Sequence, residues 1–360
     1  MKLSVPFIPD PALIDSLKTH IRAIESIYFS MHEGPVLDAR MRFRKLCLDD
    51  LARELAKVRS PKKYLLMNTR FIHPARYHDQ DFLNDLAGRV EFLAEHAGLT
   101  GFVFSDAYLL TALKNTRNTA IRELEAVPGI NCMIDTPDKL FAYLELIEDN
   151  GFARPSKCIP DRALNRDLKA LETISRQVKK ECPDIRIELL ANEGCIFHCP
   201  YKLAHDSQIA YANLPPENNQ TRKGNLTFAA NQALGCHAWF FKHPYQVFKS
   251  PFIRPEDVSA YAPFADAIKL CGRTLGVRFL KRCLAAYTEQ SWDGNLLELM
   301  DASNWLADRY HIDNKSLDPG FLNMVTKCTK ICKNCHHCSD LFKRAAEQLY
   351  LRLRKYKDYQ

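Results

Sequence analysis

Two groups of cysteines in this chain have the spacing of metal ligands. The first lies in residues 328–338, which carry Cys328, Cys332, Cys335 and Cys338. Thiolates packed this closely repel one another unless a cation neutralises them, so the spacing predicts a metal-binding loop. Consecutive CxxC steps are typical of 4Fe-4S ligation, whereas structural zinc sites usually separate two CxxC pairs by a loop. We therefore favour a 4Fe-4S cluster, with zinc as the alternative and with His336 or His337 as a replacement for one ligand.

The second group follows an apolar stretch at residues 185–191. Gly194 permits a sharp turn after this stretch, and Cys195 and Cys199 come next in the chain. Cys236 is the natural third ligand of the same site.

The fourth ligand of this second site stays open. Cys271 follows the last apolar stretch of the chain's alternating region and is one candidate. His198, His205 and a non-protein ligand are the others.

The other five cysteines have no such spacing and are predicted to be packing residues: Cys47, Cys132, Cys158, Cys182 and Cys283. Because the total of thirteen is odd, the chain cannot form a complete disulfide framework alone.

Short apolar runs alternate with segments of helical periodicity from residue 3 onward. The predicted strands are 3–7, 26–30, 63–69, 101–105, 130–134, 156–159, 185–191 and 266–270. The predicted helices are 11–22, 37–58, 82–96, 107–117, 137–149, 166–181 and 273–289. Asp10, Asp106 and Thr136 are predicted to cap helices.

This alternation predicts a parallel eight-stranded α/β barrel of the TIM type, with an open doubly wound sheet as the alternative. No glycine-rich phosphate loop follows the first strand, which counts against a dinucleotide fold. In a barrel, chemistry takes place at the carboxyl ends of the strands.

We expect the barrel to occupy residues 1–290, with a cysteine-bearing loop at 192–265 that includes a polar segment at 215–221. Residues 291–360 then form an extension with the CxxxCxxCxxC motif and a basic helix at 339–360.

Arginines near the predicted strand ends could hold an anionic substrate, because a guanidinium group matches carboxylate geometry. The candidates are Arg162, Arg254 and Arg273, and each could equally form a supporting salt bridge.

The chain has a net charge of +7, from 50 Lys+Arg and 43 Asp+Glu, which is too small to favour RNA binding. No apolar run is long enough for a membrane span, and the N-terminus shows no secretion signal, so we expect a cytoplasmic protein.

The segment 188–199, the downstream Cys236 and the segment 269–274 together resemble the collagenase-like peptidase family. The order of elements from residue 3 to about 290 also resembles that family. The resemblance implies a barrel with a 4Fe-4S cluster, held in part by Cys195, Cys199 and Cys236. It also implies oxygen-independent hydroxylation, since family members act on tRNA uridine, a ribosomal RNA cytidine or the ubiquinone ring.

The chain departs from the family pattern at three places. Val258 falls near the position of the family's fourth cysteine, and Cys271 replaces the glutamate of a Lys-Ile-Glu-Gly-Arg segment. The motif that begins at Cys328 lies outside the common core, which suggests a second cluster.

We therefore expect an iron–sulfur oxidoreductase or hydroxylase that modifies a small molecule, a peptide or RNA. An electron donor protein and an accessory subunit are the expected partners. The alternative is a metal-stabilised module that binds RNA or protein without catalysis. Proteolysis is not favoured, because no GxSxG, HExxH or papain-type segment is present.

Overall fold

Eight parallel strands form one nearly closed sheet in the computed structural model of the chain, which describes residues 1–40, 46–214 and 223–349. The strands are β1 (Lys2–Pro6), β2 (Ile24–Phe29), β3 (Lys62–Met67), β4 (Gly101–Phe104), β5 (Glu125–Pro128), β6 (Lys157–Cys158), β7 (Arg186–Leu190) and β8 (Ala267–Lys269). Their order in the sheet is β5-β4-β3-β2-β1-β8-β7-β6. The pairing of β1 with β8 and the contact of β5 with the approach to β6 make the molecule an α/β barrel, and the open sheet is excluded.

The barrel is closed between β5 and β6 by few contacts. The Ala126 N–H donates to the carbonyl of Ala153 at 3.2 Å, and Glu125 and Ala153 form an isolated parallel bridge. The Glu125 carboxylate also accepts the backbone N–H of Ser156 at 3.1 Å. Side chains therefore reinforce the one weakly paired seam.

The helices lie outside the sheet or in the long insertion. They are α1 (Pro11–Thr19), α2 (Leu48–Ala56), α3 (Gln80–Ala97), α4 (Ala107–Leu113), α5 (Pro137–Asp149), α6 (Leu168–Glu181), α7 (Lys202–Ala212), α8 (Lys223–Leu234), α9 (Cys236–Lys242), α10 (Gly276–Glu289), α11 (Phe321–Lys327) and α12 (His337–Ala345). The predicted caps are confirmed: Asp10, Asp106 and Thr136 each accept backbone N–H groups in the first turn of their helices.

A separate apolar cluster and a buried charge network fill the inside of the barrel. The apolar cluster is Tyr28, Tyr64, Leu66, Val103, Val127 and Ile159. The charge network is Glu188 between two lysines: Lys157 Nζ lies 2.9 Å and Lys269 Nζ 3.4 Å from the two carboxylate oxygens. The lysines also lie over the rings of Tyr64 and Tyr28. The interior is thus a packed core, as expected for a barrel of this size.

The fifth strand differs from the prediction. We expected it at 130–134, but the strand is Glu125–Pro128, and Ile130–Cys132 is a 3-10 turn. At Gly129 the chain passes over the end of β4, where a Cβ atom would lie 2.9 Å from Val103 Cγ1. The apolar run that suggested a strand is buried because it covers this barrel rim.

The helix predicted at 37–58 begins only at Leu48, so its first half was wrong for the described residues 37–40, 46 and 47. Two of these residues form hydrogen bonds that involve side chains instead of the backbone hydrogen bonds of a helix. The Ala39 N–H donates to Asn68 Oδ1, and the Asp38 carboxylate accepts hydrogen bonds from Ser30 and Arg273. Residues 41–45 of that prediction lie outside the described part of the chain.

The insertion and the extension pack at one end of the barrel. The insertion contains α7, α8 and α9, followed by 3-10 turns at Pro244–Lys249 and Pro255–Tyr261. The extension contains α11, α12 and an antiparallel pair, β9 (Tyr310–Ile312) with β10 (Ala346–Gln348).

The helix predicted at 339–360 was wrong at Ala346–Gln348, which form β10 and pair with β9. The basic residues of its end, at 352–357, and the polar segment 215–221 lie outside the described residues. Within the described ranges, no helix has the length and apolar character of a membrane span.

Candidate functional site

A cavity of about 430 Å³ lies at the carboxyl ends of β6, β7 and β8. Three of its lining residues are the predicted ligands Cys195, Cys199 and Cys236. They come from two segments that are far apart in sequence. Cys195 and Cys199 lie in the loop after β7, and Cys236 is the first residue of α9. A more open groove of about 650 Å³ between α5 and α6 contains Cys182 and none of the predicted ligands.

The end of β7 is held rigidly where it enters the cavity. Asn192 is fully buried; its Oδ1 accepts the Cys271 N–H at 2.7 Å and its Nδ2 donates to the Leu299 carbonyl at 3.1 Å. Gly194 then adopts a φ of +72°, which favours glycine. The direction of the Cys195 side chain is therefore set by β8 and by the extension as well as by β7.

Charged side chains surround the three thiols. Arg162 forms an ion pair with Glu193 and also donates through Nη1 to Cys195 Sγ at 3.8 Å. The other ion pairs in the cavity wall are Lys202–Asp206, Arg40–Asp301 at 3.6 Å and Arg40–Glu193 at 3.8 Å. Three cations thus face three carboxylates, and ionised thiols would add uncompensated negative charge unless a metal group were bound.

Burial shapes the acidity of the cavity groups. Burial raises the pKa of Cys195 to about 11, against the opposing effect of Arg162 and Lys202. Burial also raises the pKa of Cys199 and Cys236, and it lowers the pKa of Lys202 to about 8. A nucleophilic cysteine needs a lowered pKa, and the pKa of Cys195 is shifted in the opposite direction.

The cavity offers the type of donor that an iron–sulfur cluster binds. Cys195, Cys199 and Cys236 are half-buried thiols on one cavity, and two cations, Arg162 and Lys202, act on the first two. Soft thiolates are the ligands that such clusters use. Among the described residues, no three Cys, His, Asp or Glu side chains are grouped closely enough to hold a single metal ion.

The candidates for a fourth ligand differ in position. His205 lines the cavity, and burial lowers its pKa. Cys271 does not line it; its Sγ donates to Asn192 Oδ1 at 3.3 Å. His198 lies beside Phe197, with a φ of +46°.

Only one of the three predicted substrate-holding arginines lines the cavity. Arg162 does so, and its Nη2 is buried without a hydrogen-bond partner in the described structure. Arg254 is engaged by Asp257 at 2.8 and 3.1 Å, and Arg273 by Asp38. Of the three arginines, Arg162 is therefore the one placed to meet a ligand in the cavity.

The tail cysteines lie outside the cavity. Cys328, Cys332 and Cys335 are exposed, while Cys338 at the start of α12 is half-buried. Burial raises the pKa of Cys338, Arg166 lowers it, and the thiols of Cys332 and Cys328 raise it further. Cys328 and Cys332 thus lie within electrostatic reach of Cys338, as do Lys249 and the buried Arg166.

Sequence reasoning missed Arg40, Lys202 and Asp301, which line the cavity. Arg40 was assigned to a helix, and Asp301 lies in the extension, where no motif marks it. Lys202 carried a usable signal, since it follows the Cys-Pro pair at 199–200 at the start of α7.

Comparison with known proteins adds one clear relative. No family model matches the chain. The uncharacterized protease MJ1657 of Methanocaldococcus jannaschii is 28% identical over 256 residues, which cover 71% of this chain and 69% of that protein. The solved U32 peptidase Mk0906 aligns with a TM-score of 0.44 and 18% identity, over 62% of this chain and 84% of that one. The relative, with the order of Gly194, Cys195, Cys199 and Cys236 on an α/β barrel, supports the resemblance of this chain to the collagenase-like peptidase family.

Proposed function

We propose that this protein is an iron–sulfur oxidoreductase, with a 4Fe-4S cluster held by Cys195, Cys199 and Cys236 at the mouth of the barrel. The observation that carries the proposal is that these three thiols, from two distant segments, line one cavity beside Arg162 and Lys202. When bound, the cluster would supply one-electron transfer. His205, which lines the cavity, and Cys271, which does not, are the candidate fourth protein ligands.

The reaction we propose is oxygen-independent hydroxylation or a related redox modification of a small molecule, a peptide or RNA. In this reaction Arg162 holds the substrate, because it lines the cavity and its Nη2 is buried without a hydrogen-bond partner in the described structure. A carbonyl, carboxylate or phosphate oxygen would satisfy that donor. Arg254 and Arg273 remain proposed substrate holders, but each would first have to leave its carboxylate partner.

The tail motif is proposed to hold a second 4Fe-4S cluster, with zinc as the alternative occupant. Its cysteines are more exposed than those of the cavity, so an electron donor protein can approach this side. The tail would therefore receive electrons, and the cavity would use them.

Anaerobic purification with iron and acid-labile sulfide analysis tests the proposal. We expect about eight irons and eight sulfides per chain, as two 4Fe-4S clusters require. Cys195→Ser and Cys335→Ser should each lose about half of both, while Cys132→Ser, in a buried solitary thiol, should lose none.

The outcomes separate the competing functions. Iron and sulfide below about three per chain would exclude two clusters. Stoichiometric zinc without a brown chromophore would instead favour the metal-stabilised binding module. Cleavage of a casein substrate that is abolished by Cys195→Ser would favour proteolysis.

A further inference from the structure

One buried turn of the barrel contacts both cysteine groups. The 3-10 helix Arg162–Arg166 follows β6, and all five of its residues are buried. At one end, Arg162 donates to Cys195 Sγ at 3.8 Å. At the other end, Arg166 donates through Nη2 to Cys328 Sγ at 3.6 Å. The two groups are therefore linked by a few residues of rigid backbone.

The turn is fixed by its own hydrogen bonds. Asp161 accepts the Ala163 N–H at 2.8 Å. Asn165 Nδ2 donates to the carbonyls of Leu190 and Pro251, each at 2.8 Å, and the Tyr261 hydroxyl donates to the Asn165 carbonyl at 2.7 Å. A side chain on this turn thus has little freedom to move away from its partner.

Arg166 has an unusual set of neighbours for a buried cation. Its side chain is 4% exposed, and its other donors go to the carbonyls of Val325, at 3.0 and 3.2 Å, and of Lys249. Its guanidinium carbon lies 5.0 Å from the ring centre of Phe197, between Cys195 and Cys199 in the chain. Within the described ranges, no carboxylate forms an ion pair with it.

A buried charge without a counter-charge is costly, because the protein interior screens it poorly. The thiol of Cys328 touches Arg166, and that of Cys338 lies within its electrostatic reach. Four thiolates around a divalent ion, or around a 4Fe-4S cluster, form a site with net negative charge. Such a site would supply the anion that Arg166 lacks.

We propose that Arg166 is the buried counter-cation of a metal site formed by Cys328, Cys332, Cys335 and Cys338. It is a positioning residue: it acts on the metal through the thiolates and fastens the tail to the loop at Phe197. This inference rests on the proposed function only for which metal group the tail cysteines bind. A zinc site with four thiolates would also be negatively charged and would also need a counter-cation.

The test compares three single substitutions in the full-length chain. Arg166→Gln removes the charge and keeps most of the length, Arg166→Lys keeps the charge, and Arg162→Gln removes the matched arginine at the other end of the turn. Co²⁺ is titrated into chelator-treated protein, and thiolate-to-cobalt absorption is followed. Cys335→Ser identifies which part of the signal belongs to the tail.

We expect Arg166→Gln to weaken Co²⁺ binding at the tail about 10- to 100-fold, the usual cost of removing an outer-shell partner. Arg166→Lys should restore most of that affinity, and Arg162→Gln should leave it unchanged. Equal binding by Arg166→Gln and the wild type would overturn the proposal. Equal damage from Lys and Gln would also overturn it, because the role would then be packing rather than charge.

The midpoint potential of the tail cluster in iron-loaded protein is a second measurement, and a loss of packing alone would not change it. Positive charge and N–H···S donation favour the reduced, more negative cluster. We therefore expect Arg166→Gln to shift the tail cluster toward oxidation by about tenfold in the ratio of the two forms, or about 59 mV for one electron. An unchanged midpoint potential in a fully loaded variant would refute the proposal.

The two proposals fail differently. Zinc in place of iron and sulfide in the wild type would end the redox function, and the Co²⁺ series would still decide the role of Arg166. A tail that binds neither Co²⁺ nor iron would overturn the role of Arg166, and the cavity cluster would be judged by its own iron content.

Discussion

Gly194 lies directly against Ser303: a Cβ atom on Gly194 would be 2.8 Å from Ser303 Oγ. The same atom would be 2.9 Å from Met300 Cβ, and the glycine has a φ of +72°. Gly194→Ala therefore introduces both backbone strain and a steric conflict next to Cys195. We expect it to lower the free energy of unfolding by about 1–3 kcal/mol and to reduce iron content. Urea denaturation and iron analysis measure the two effects.

Two other glycines separate these causes. Gly276 has a φ of +83° with nothing within 4 Å, so Gly276→Ala should cost about 1–3 kcal/mol through strain and keep its iron. Gly88 lies inside α3 with nothing within 4 Å, and Gly88→Ala should stabilise the protein by about 0.5–1 kcal/mol. Normal iron in Gly194→Ala would show that this close contact does not position Cys195.

Thiol exposure predicts an alkylation pattern. In chelator-treated protein, iodoacetamide should label the exposed Cys47, Cys328, Cys332 and Cys335 and spare the buried Cys158. After anaerobic reconstitution with iron and sulfide, the three tail thiols should be protected and Cys47 should still react. Mass spectrometry of peptides measures both patterns. Tail labelling that reconstitution leaves unchanged would contradict a metal at this motif.

The buried network around Glu188 predicts a large loss of stability. Burial opposes the ionisation of Glu188, but Lys157 and Lys269 outweigh it and lower its pKa. Glu188→Gln leaves two buried lysines without an anion, and we expect a loss of about 3–5 kcal/mol in urea denaturation. The matched control is Glu181→Gln, whose partner Lys180 lies 2.8 Å away on the exposed surface, with an expected loss below about 1 kcal/mol. Equal losses would refute the role of burial.

Glu125 predicts a pH dependence of stability. Burial works to raise the pKa of Glu125, but hydrogen bonds from the backbone and hydroxyl of Ser156, with further help from Tyr64 and Lys62, outweigh burial and lower it. The folded pKa is therefore below the unfolded one, so the stabilisation is complete above the unfolded pKa of about 4.3 and disappears as the pH falls through the folded pKa.

The test compares the wild type with Glu125→Gln. The wild type should be more stable by about 1.5–3 kcal/mol at neutral pH, and the difference should shrink below about pH 4. Urea denaturation at several pH values measures it. Tyr64→Phe removes a 2.8 Å hydrogen bond to the carboxylate and should weaken this dependence. A difference that grows toward acid would reverse the assigned sign.

Periodicity was sufficient to predict the barrel because its parallel strands are buried apolar runs between amphipathic helices. It was insufficient at 130–134, where an apolar run covers the rim while the preceding Glu125–Pro128 forms the strand. Glu125, the first residue of that strand, accepts the Ser156 N–H across the seam, a tertiary contact that no local pattern reveals.

The candidate site was predictable where residue type alone carries the chemistry. Spacing identified Cys195, Cys199 and Cys236, which the structure places on one cavity. The spacing of residues could not identify Arg166, because arginines are common in proteins. This arginine is notable only because it is buried and forms no ion pair with a carboxylate among the described residues. That property depends on α11 and the tail, which lie far along the chain.

Residues 300–303, which form one wall of the cavity, are synthesised after the whole barrel. Asp301 and Ala302 donate backbone N–H groups to the carbonyls of Asn192 and Glu193, at 2.8 and 2.6 Å. Translation delivers every barrel strand, and all three cavity cysteines, before this wall exists. A nascent barrel therefore presents its thiols to solvent, oxidants and stray metals until the extension has left the ribosome. Insertion of the proposed cluster would then follow the synthesis of this wall.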